Sequence, residues 1–89
     1  MREIHIRNLK AKNERGSIIS VVCGYESEVT AVVNGQKFNA KSIMNTPVID
    51  HAENVDFTIT GVDEEKAEMA IKKLYHIEFS HLQFHMTNP

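Results

Sequence analysis

An Asn-Gly pair at Asn34 and Gly35 is the feature that most restricts the fold of this 89-residue chain. Strand-like runs lie on both sides of the pair, over residues 28–33 and residues 36–40. An Asn-Gly pair in this setting favours a type I′ turn, in which both central residues adopt positive φ. The sequence therefore predicts an antiparallel hairpin centred on Asn34 and Gly35.

Two other segments alternate between polar and apolar residues, which is the period of a strand with one buried face. In residues 3–7, Ile4 and Ile6 fall on one face. In residues 55–60, the apolar positions are every second residue, and Gly61 follows. With the hairpin, these segments predict four strands.

A helix is predicted after the last strand. Asp63 is a good N-cap residue, and Glu64 and Glu65 suit the positive end of a helix dipole. An apolar stripe follows at helical spacing, and its members are Ala67, Ala70, Ile71 and Leu74.

Residues 17–25 are ambiguous, because their β-branched residues favour a strand while Ile18, Val22 and Tyr25 have helical spacing. Ser17 would serve as the N-cap of a helix here. A shorter apolar stretch opens at Ser42, and Pro47 restricts any helix there to one or two turns.

Composition narrows the classes of function. The formal net charge is −2, and the basic residues are scattered among acidic ones, so we expect no nucleic-acid partner. The single cysteine, Cys23, cannot form an internal disulfide, and we expect it to be a buried small hydrophobe. No apolar run approaches the length of a membrane span, so we expect no membrane insertion and a cytoplasmic location.

The pattern indicates one compact α+β domain over residues 1–78, followed by a C-terminal extension over residues 79–89. Apolar and polar residues alternate in this extension, which favours an added strand or an oligomerisation segment. We therefore expect a monomer, or a homodimer formed through this tail.

No catalytic or metal centre is evident in the sequence. His81 and His85 are four residues apart, but the alternating tail offers no fixed third ligand, so we predict no metal and no cofactor. His5 and His51 are interpreted as surface residues. Since no nucleophile–base arrangement and no phosphate-binding loop is present, we do not expect an enzyme.

Residues 22–74 resemble HPr, the small phosphocarrier of the bacterial phosphoenolpyruvate-dependent sugar phosphotransferase system. Four stretches carry the resemblance. They are Tyr-Glu-Ser-Glu-Val at residues 25–29, Asn-Gly at the hairpin, Lys-Ser-Ile-Met at residues 41–44, and the last strand with the acidic helix start after it. The resemblance implies an HPr-like open-faced β-sandwich, in which two longer helices and one short helix cover one face of a four-stranded antiparallel sheet. It also implies that residues 17–25 form a helix.

The chain departs from HPr where that family carries its phosphorylated histidine. Residues 9–15 read Leu-Lys-Ala-Lys-Asn-Glu-Arg, which contains no histidine. We therefore assign no catalytic residue. Lys10, Lys12 and Arg15 are interpreted as a solvated loop.

The resemblance implies that Ser42 is a regulatory phosphorylation site and that Ile43, Met44 and Val48, with Ile49 nearby, form a partner-binding patch. The implied partners are an HPr kinase, a transcription regulator of carbon catabolite repression or another phosphotransferase-system component. Two structural alternatives remain open: Ser42 is only an N-cap, and Ile43 and Met44 fold into the core. The predicted function is a regulatory or protein-binding module. The alternatives are a phosphocarrier with a displaced histidine, at His5 or His51, and a structural or oligomerising domain.

Overall fold

The computed structural model describes residues 1–7 and 16–75 of the chain. Its elements in chain order are β1 Arg2–Ile6, α1 Ile18–Val22, β2 Glu28–Val33, β3 Gln36–Asn39, a 3₁₀ turn Ile43–Asn45, α2 Thr46–Asp50, β4 Val55–Thr60 and α3 Glu64–Leu74. The strands form one antiparallel sheet in the order β1-β4-β2-β3. The predicted fold class is confirmed. The predicted extension over residues 79–89 lies outside the described residues.

The hairpin between β2 and β3 forms at the predicted pair. Asn34 has φ 52° and Gly35 has φ 82°, so both central residues adopt the positive φ of a type I′ turn. Val33 pairs with Gln36 directly across the turn. The turn thus fixes the register of the two strands.

The core lies between the sheet and the helices. The apolar positions of β4, which are Val55, Phe57 and Ile59, are all buried, as are Ala67 and Ile71 of α3. The rings of Phe57 and Tyr75 lie 5.8 Å apart at an angle of 49°. Within residues 1–7 and 16–75, no helix has the length and apolar character needed to cross a bilayer.

The ambiguous segment is helical but short, because α1 ends at Val22. Ile18 and Val22 are buried at helical spacing, so packing against the core overrides the strand preference of the β-branched residues. Ser17 occupies the N-cap position without a side-chain capping bond. The expected burial of Cys23 is wrong, since this residue follows the last turn of α1 and is exposed.

The N-terminus of α1 is instead capped from α2. The Asp50 carboxylate accepts hydrogen bonds from the Ile18 N–H at 3.0 Å and from the Ser17 hydroxyl at 2.7 Å. A carboxylate in this place satisfies a backbone donor that the helix itself leaves free. Asp50 therefore joins α2 to α1.

Asp63 stands at the N-cap position of α3, as predicted, but its carboxylate does not cap the helix. It accepts hydrogen bonds from the N–H groups of Glu26 and Ser27 at 2.8 and 2.9 Å, and from the Ser27 hydroxyl. The Ser27 hydroxyl, followed by the Glu26 N–H, lowers the pKa of Asp63. The carboxylate thus fastens the start of β2 to the start of α3.

This lowered pKa predicts a loss of stability in acid. Since the folded pKa lies below the unfolded value of about 4, the stabilisation is present above that value and is lost as the pH falls through the folded pKa. We expect the urea midpoint to fall between neutral pH and about pH 3, and Asp63→Asn to reduce that fall.

Glu53→Gln, at an exposed position before β4, is the matched control and should leave the fall unchanged. Unfolding followed by circular dichroism measures the midpoint. An Asp63→Asn variant with the full acid dependence of the parent would contradict this role for Asp63. Asp56 adds a dependence of the same sign, because hydrogen bonds from Arg7 and then from His5 lower its pKa.

Candidate docking surface around Ser42

The backbone around Ser42 is held by the end of β3. The Ser42 N–H donates to the Asn39 carbonyl at 3.1 Å, and the Asn45 N–H donates to the Ser42 carbonyl at 3.0 Å. The Asn45 side-chain amide also donates to the Asn39 carbonyl, at 3.1 Å. These bonds fix the turn that presents Ser42 and the residues after it.

The side chain of Ser42 does not cap the 3₁₀ turn that follows it. Ser42 has φ −86° and ψ 123° and makes no side-chain capping hydrogen bond. The interpretation of its hydroxyl as an N-cap is therefore wrong. Removing this hydroxyl should cost the folded state little, because no capping bond is lost.

Ile43 and Met44 are exposed and do not enter the core. Their exposed fractions are 72% and 82%, and Val48 of α2 is 43% exposed. The alternative that Ile43 and Met44 fold into the core is therefore wrong. We call Ile43, Met44 and Val48 the apolar patch.

Ile49 does not belong to this patch. It is fully buried, because it lies on the face of α2 that is turned to the core. Pro47 sits in the first turn of α2, where its missing N–H would have had no partner within the helix. The buried Ile49, with Asp50 bound to α1, holds α2 so that Val48 remains outside.

The two described histidines have different settings. His5 Nδ1 lies 2.8 Å from Asp56 Oδ1, and its Nε2 lies 3.5 Å from Glu3 Oε1. His51 Nδ1 lies 2.8 Å from the Pro47 carbonyl oxygen. All three partner oxygens carry a negative or partial negative charge, which disfavours a phosphoryl group at the ring nitrogen that each of them faces.

The remaining histidines, His76, His81 and His85, lie outside the described residues, as do Lys10, Lys12 and Arg15. Among the side chains that the structure describes, no three His, Cys, Asp or Glu residues form a metal-binding group.

Sequence reasoning identified the patch residues but missed two residues that position them, Asn45 and Asp50. The bond of Asp50 spans 32 residues along the chain, and no local pattern marks such a contact. The hydrogen bond from the Asn45 side chain to the Asn39 carbonyl joins residues only six positions apart. Asn side chains often bond to nearby backbone groups, so an Asn shortly after a predicted strand is a signal that could have been noticed.

Comparisons with known proteins support the fold. No protein-family model and no curated protein matches the sequence. Among solved structures, the chain is similar to the crystal structure of HPr-C-His from Thermoanaerobacter tengcongensis, with a TM-score of 0.69 and 24% sequence identity. The match covers 90% of this chain and 97% of that one. The chain therefore has the fold of HPr.

Proposed function

We propose that this chain is a protein-binding module on the HPr fold, related to the sugar phosphotransferase system and regulated by phosphorylation of Ser42. Its partner-binding residues are those of the apolar patch. The observation that carries the proposal is the exposure of Ile43 and Met44 directly after a serine whose hydroxyl caps nothing.

The apolar patch has the properties of a contact surface. Exposed apolar side chains in a cluster commonly mark protein–protein interfaces, and the flexible side chain of Met44 adapts to different partners. The segment that carries the patch is fixed by Asn45, which lies between Met44 and Val48, and by Asp50 at its C-terminal end. A partner therefore meets a surface that is already in place.

Phosphorylation of Ser42 would change this surface by charge. A phosphoryl group adds nearly two negative charges and three acceptor oxygens beside Ile43. It would weaken contact with an acidic or purely apolar partner and favour a partner that offers Arg or Lys. Ser42 and the apolar patch would thus act together as a switch and a contact surface.

Transfer of phosphate through a histidine is not part of the proposal. Residues 9–15 contain no histidine. At the start of α1, the Asp50 carboxylate already accepts a hydrogen bond from the Ile18 N–H, and its negative charge would repel a phosphoryl group nearby. An HPr kinase, a transcription regulator or another component of the phosphotransferase system is the proposed class of partner.

The first experiment measures phosphorylation of Ser42. After incubation with an HPr kinase and ATP, we expect one phosphoryl group on the parent protein and none on Ser42→Ala, by intact-mass spectrometry. Ser20→Ala, at an exposed serine of α1, is the matched control and should be labelled like the parent.

An unlabelled parent under conditions that label a genuine HPr would contradict the switch. The same samples, treated with Enzyme I, phosphoenolpyruvate and magnesium, separate this proposal from the phosphocarrier alternative. An acid-labile adduct, lost in His5→Gln or His51→Gln, would show that a displaced histidine carries phosphate.

A second experiment tests the patch. Met44→Asp should lower kcat/KM for phosphorylation by an HPr kinase about tenfold, because loss of an apolar anchor at an interface costs about 1–2 kcal/mol. Val62→Asp is the matched control, since Val62 is 88% exposed in the turn between β4 and α3. Equal effects of the two substitutions would show that Met44 is not part of the contact surface.

A further inference from the structure

A shallow groove of about 400 Å³ lies between α1 and α3, and no residue of the apolar patch lines it. Val21 and Tyr25 line it on the α1 side, and Ala70 and Leu74 line it on the α3 side. Val21, Tyr25 and Leu74 are partly buried and pack against the core. The floor of the groove is therefore an apolar extension of the core that remains open to solvent.

A positive charge stands at the rim of this groove. Lys73 of α3 is one of the lining residues, and it is exposed. Its ammonium group forms no ion pair with any described residue, whereas the neighbouring Lys72 pairs with Glu68. An occupant with apolar side chains and a negative charge would match both the floor and the rim.

We propose that the segment Ile77-Glu78-Phe79 of this same chain binds in the groove, with Ile77 and Phe79 on its apolar floor and Glu78 facing Lys73. The segment has the required chemistry, because two apolar residues flank one acidic residue. Its intramolecular attachment gives it a high effective concentration at the groove, which a free partner lacks.

The distances allow this arrangement. The chain leaves α3 at Leu74, which itself lines the groove. The five residues from Tyr75 to Phe79 are joined by four residue-to-residue steps, which span up to about 13 Å when extended. The length of the groove along α3 is smaller than this span, because Ala70 lies about one helical turn from Leu74, or about 6 Å along the axis. Phe79 can therefore reach the far end of the groove.

The single cysteine provides a probe beside the groove. Cys23 is exposed and precedes Gly24, which is also part of the groove lining. A nitroxide attached to Cys23 in the full ¹⁵N-labelled chain should remove most of the amide signal of residues 77–79. Reduction of the nitroxide should restore that signal.

Two tail variants show whether the apolar side chains of the segment occupy the groove. Ile77→Ser combined with Phe79→Ser should shift the methyl resonances of Val21 and Leu74, because both side chains line the groove. Leu82→Ser combined with Phe84→Ser is the matched control and should shift neither. Methyl resonances of Val21 and Leu74 that stay at the parent positions in the first variant would overturn the proposal.

A mixture of isotope-labelled chain without nitroxide and nitroxide-labelled chain without isotope distinguishes a second copy as the occupant. We expect no broadening of residues 77–79 in the mixture. Broadening there would overturn the proposal in favour of a dimer. If residues 77–79 were not broadened in either sample, the proposal would also be overturned, and another protein would be the remaining candidate occupant of the groove.

Discussion

Phe57→Ala should lower the free energy of unfolding by about 3–5 kcal/mol, as removal of a buried aromatic side chain generally does. Phe57 is fully buried at the centre of β4, with β1 on one side and β2 on the other. Its ring also packs against Tyr75 at the end of α3. The substitution therefore opens a cavity where the sheet meets the helix.

Urea unfolding followed by circular dichroism measures this effect. A chain of this size has a total stability of roughly 4–13 kcal/mol, and at the lower end of that range Phe57→Ala leaves little folded protein. Phe57→Leu fills most of the volume and should cost only about 1–2 kcal/mol, which keeps the comparison measurable. If Phe57→Leu and Phe57→Ala both unfolded at the midpoint of the parent, the ring would not be a core residue.

Gly61→Ala should be the second large effect, with a loss of about 3 kcal/mol or more. Gly61 has φ 157°, a backbone conformation that residues with a side chain rarely adopt. A Cβ atom at this position would lie 2.5 Å from the Ser27 Cα atom. Because the obstacle is backbone, it cannot be relieved by rotation of a side chain.

Gly24→Ala is the matched control for Gly61→Ala. Its added Cβ would lie 3.5 Å from the Val21 carbonyl oxygen, which is an ordinary contact. We expect its urea midpoint to stay close to that of the parent. Similar losses for the two glycines would mean that the close approach of Gly61 to Ser27 does not determine the result.

The fold could be predicted where local pattern and final environment agree. The Asn34-Gly35 turn needs positive φ at both residues. In β4, apolar residues alternate with polar ones because only one face of the strand is buried. Residues 17–25 gave no such agreement, since β-branched side chains favour a strand. The resemblance to HPr supplied the correct answer for α1, because burial of Ile18 and Val22 depends on the rest of the core.

The details of the candidate site were less predictable. Ser42, Ile43 and Met44 were identified through the resemblance, but their exposure could not be read from apolar character alone. Ile49 has the same character as Ile43 and is buried. Likewise, Asp63 was predicted as a helix cap, yet its carboxylate binds Ser27, whose position depends on the packing of β2. Such side-chain partners are set by tertiary geometry.

Hydrogen bonds to the rest of the fold hold the segment from Ser42 to Asp50 in place, and this affects how fast complexes can form and dissociate. Since Asn45 and Asp50 already hold this segment, a partner does not have to immobilise it, and the entropic cost of association is small. Three apolar side chains can then suffice for recognition, while the small area favours rapid release. Complexes formed through the apolar patch are therefore expected to be short-lived.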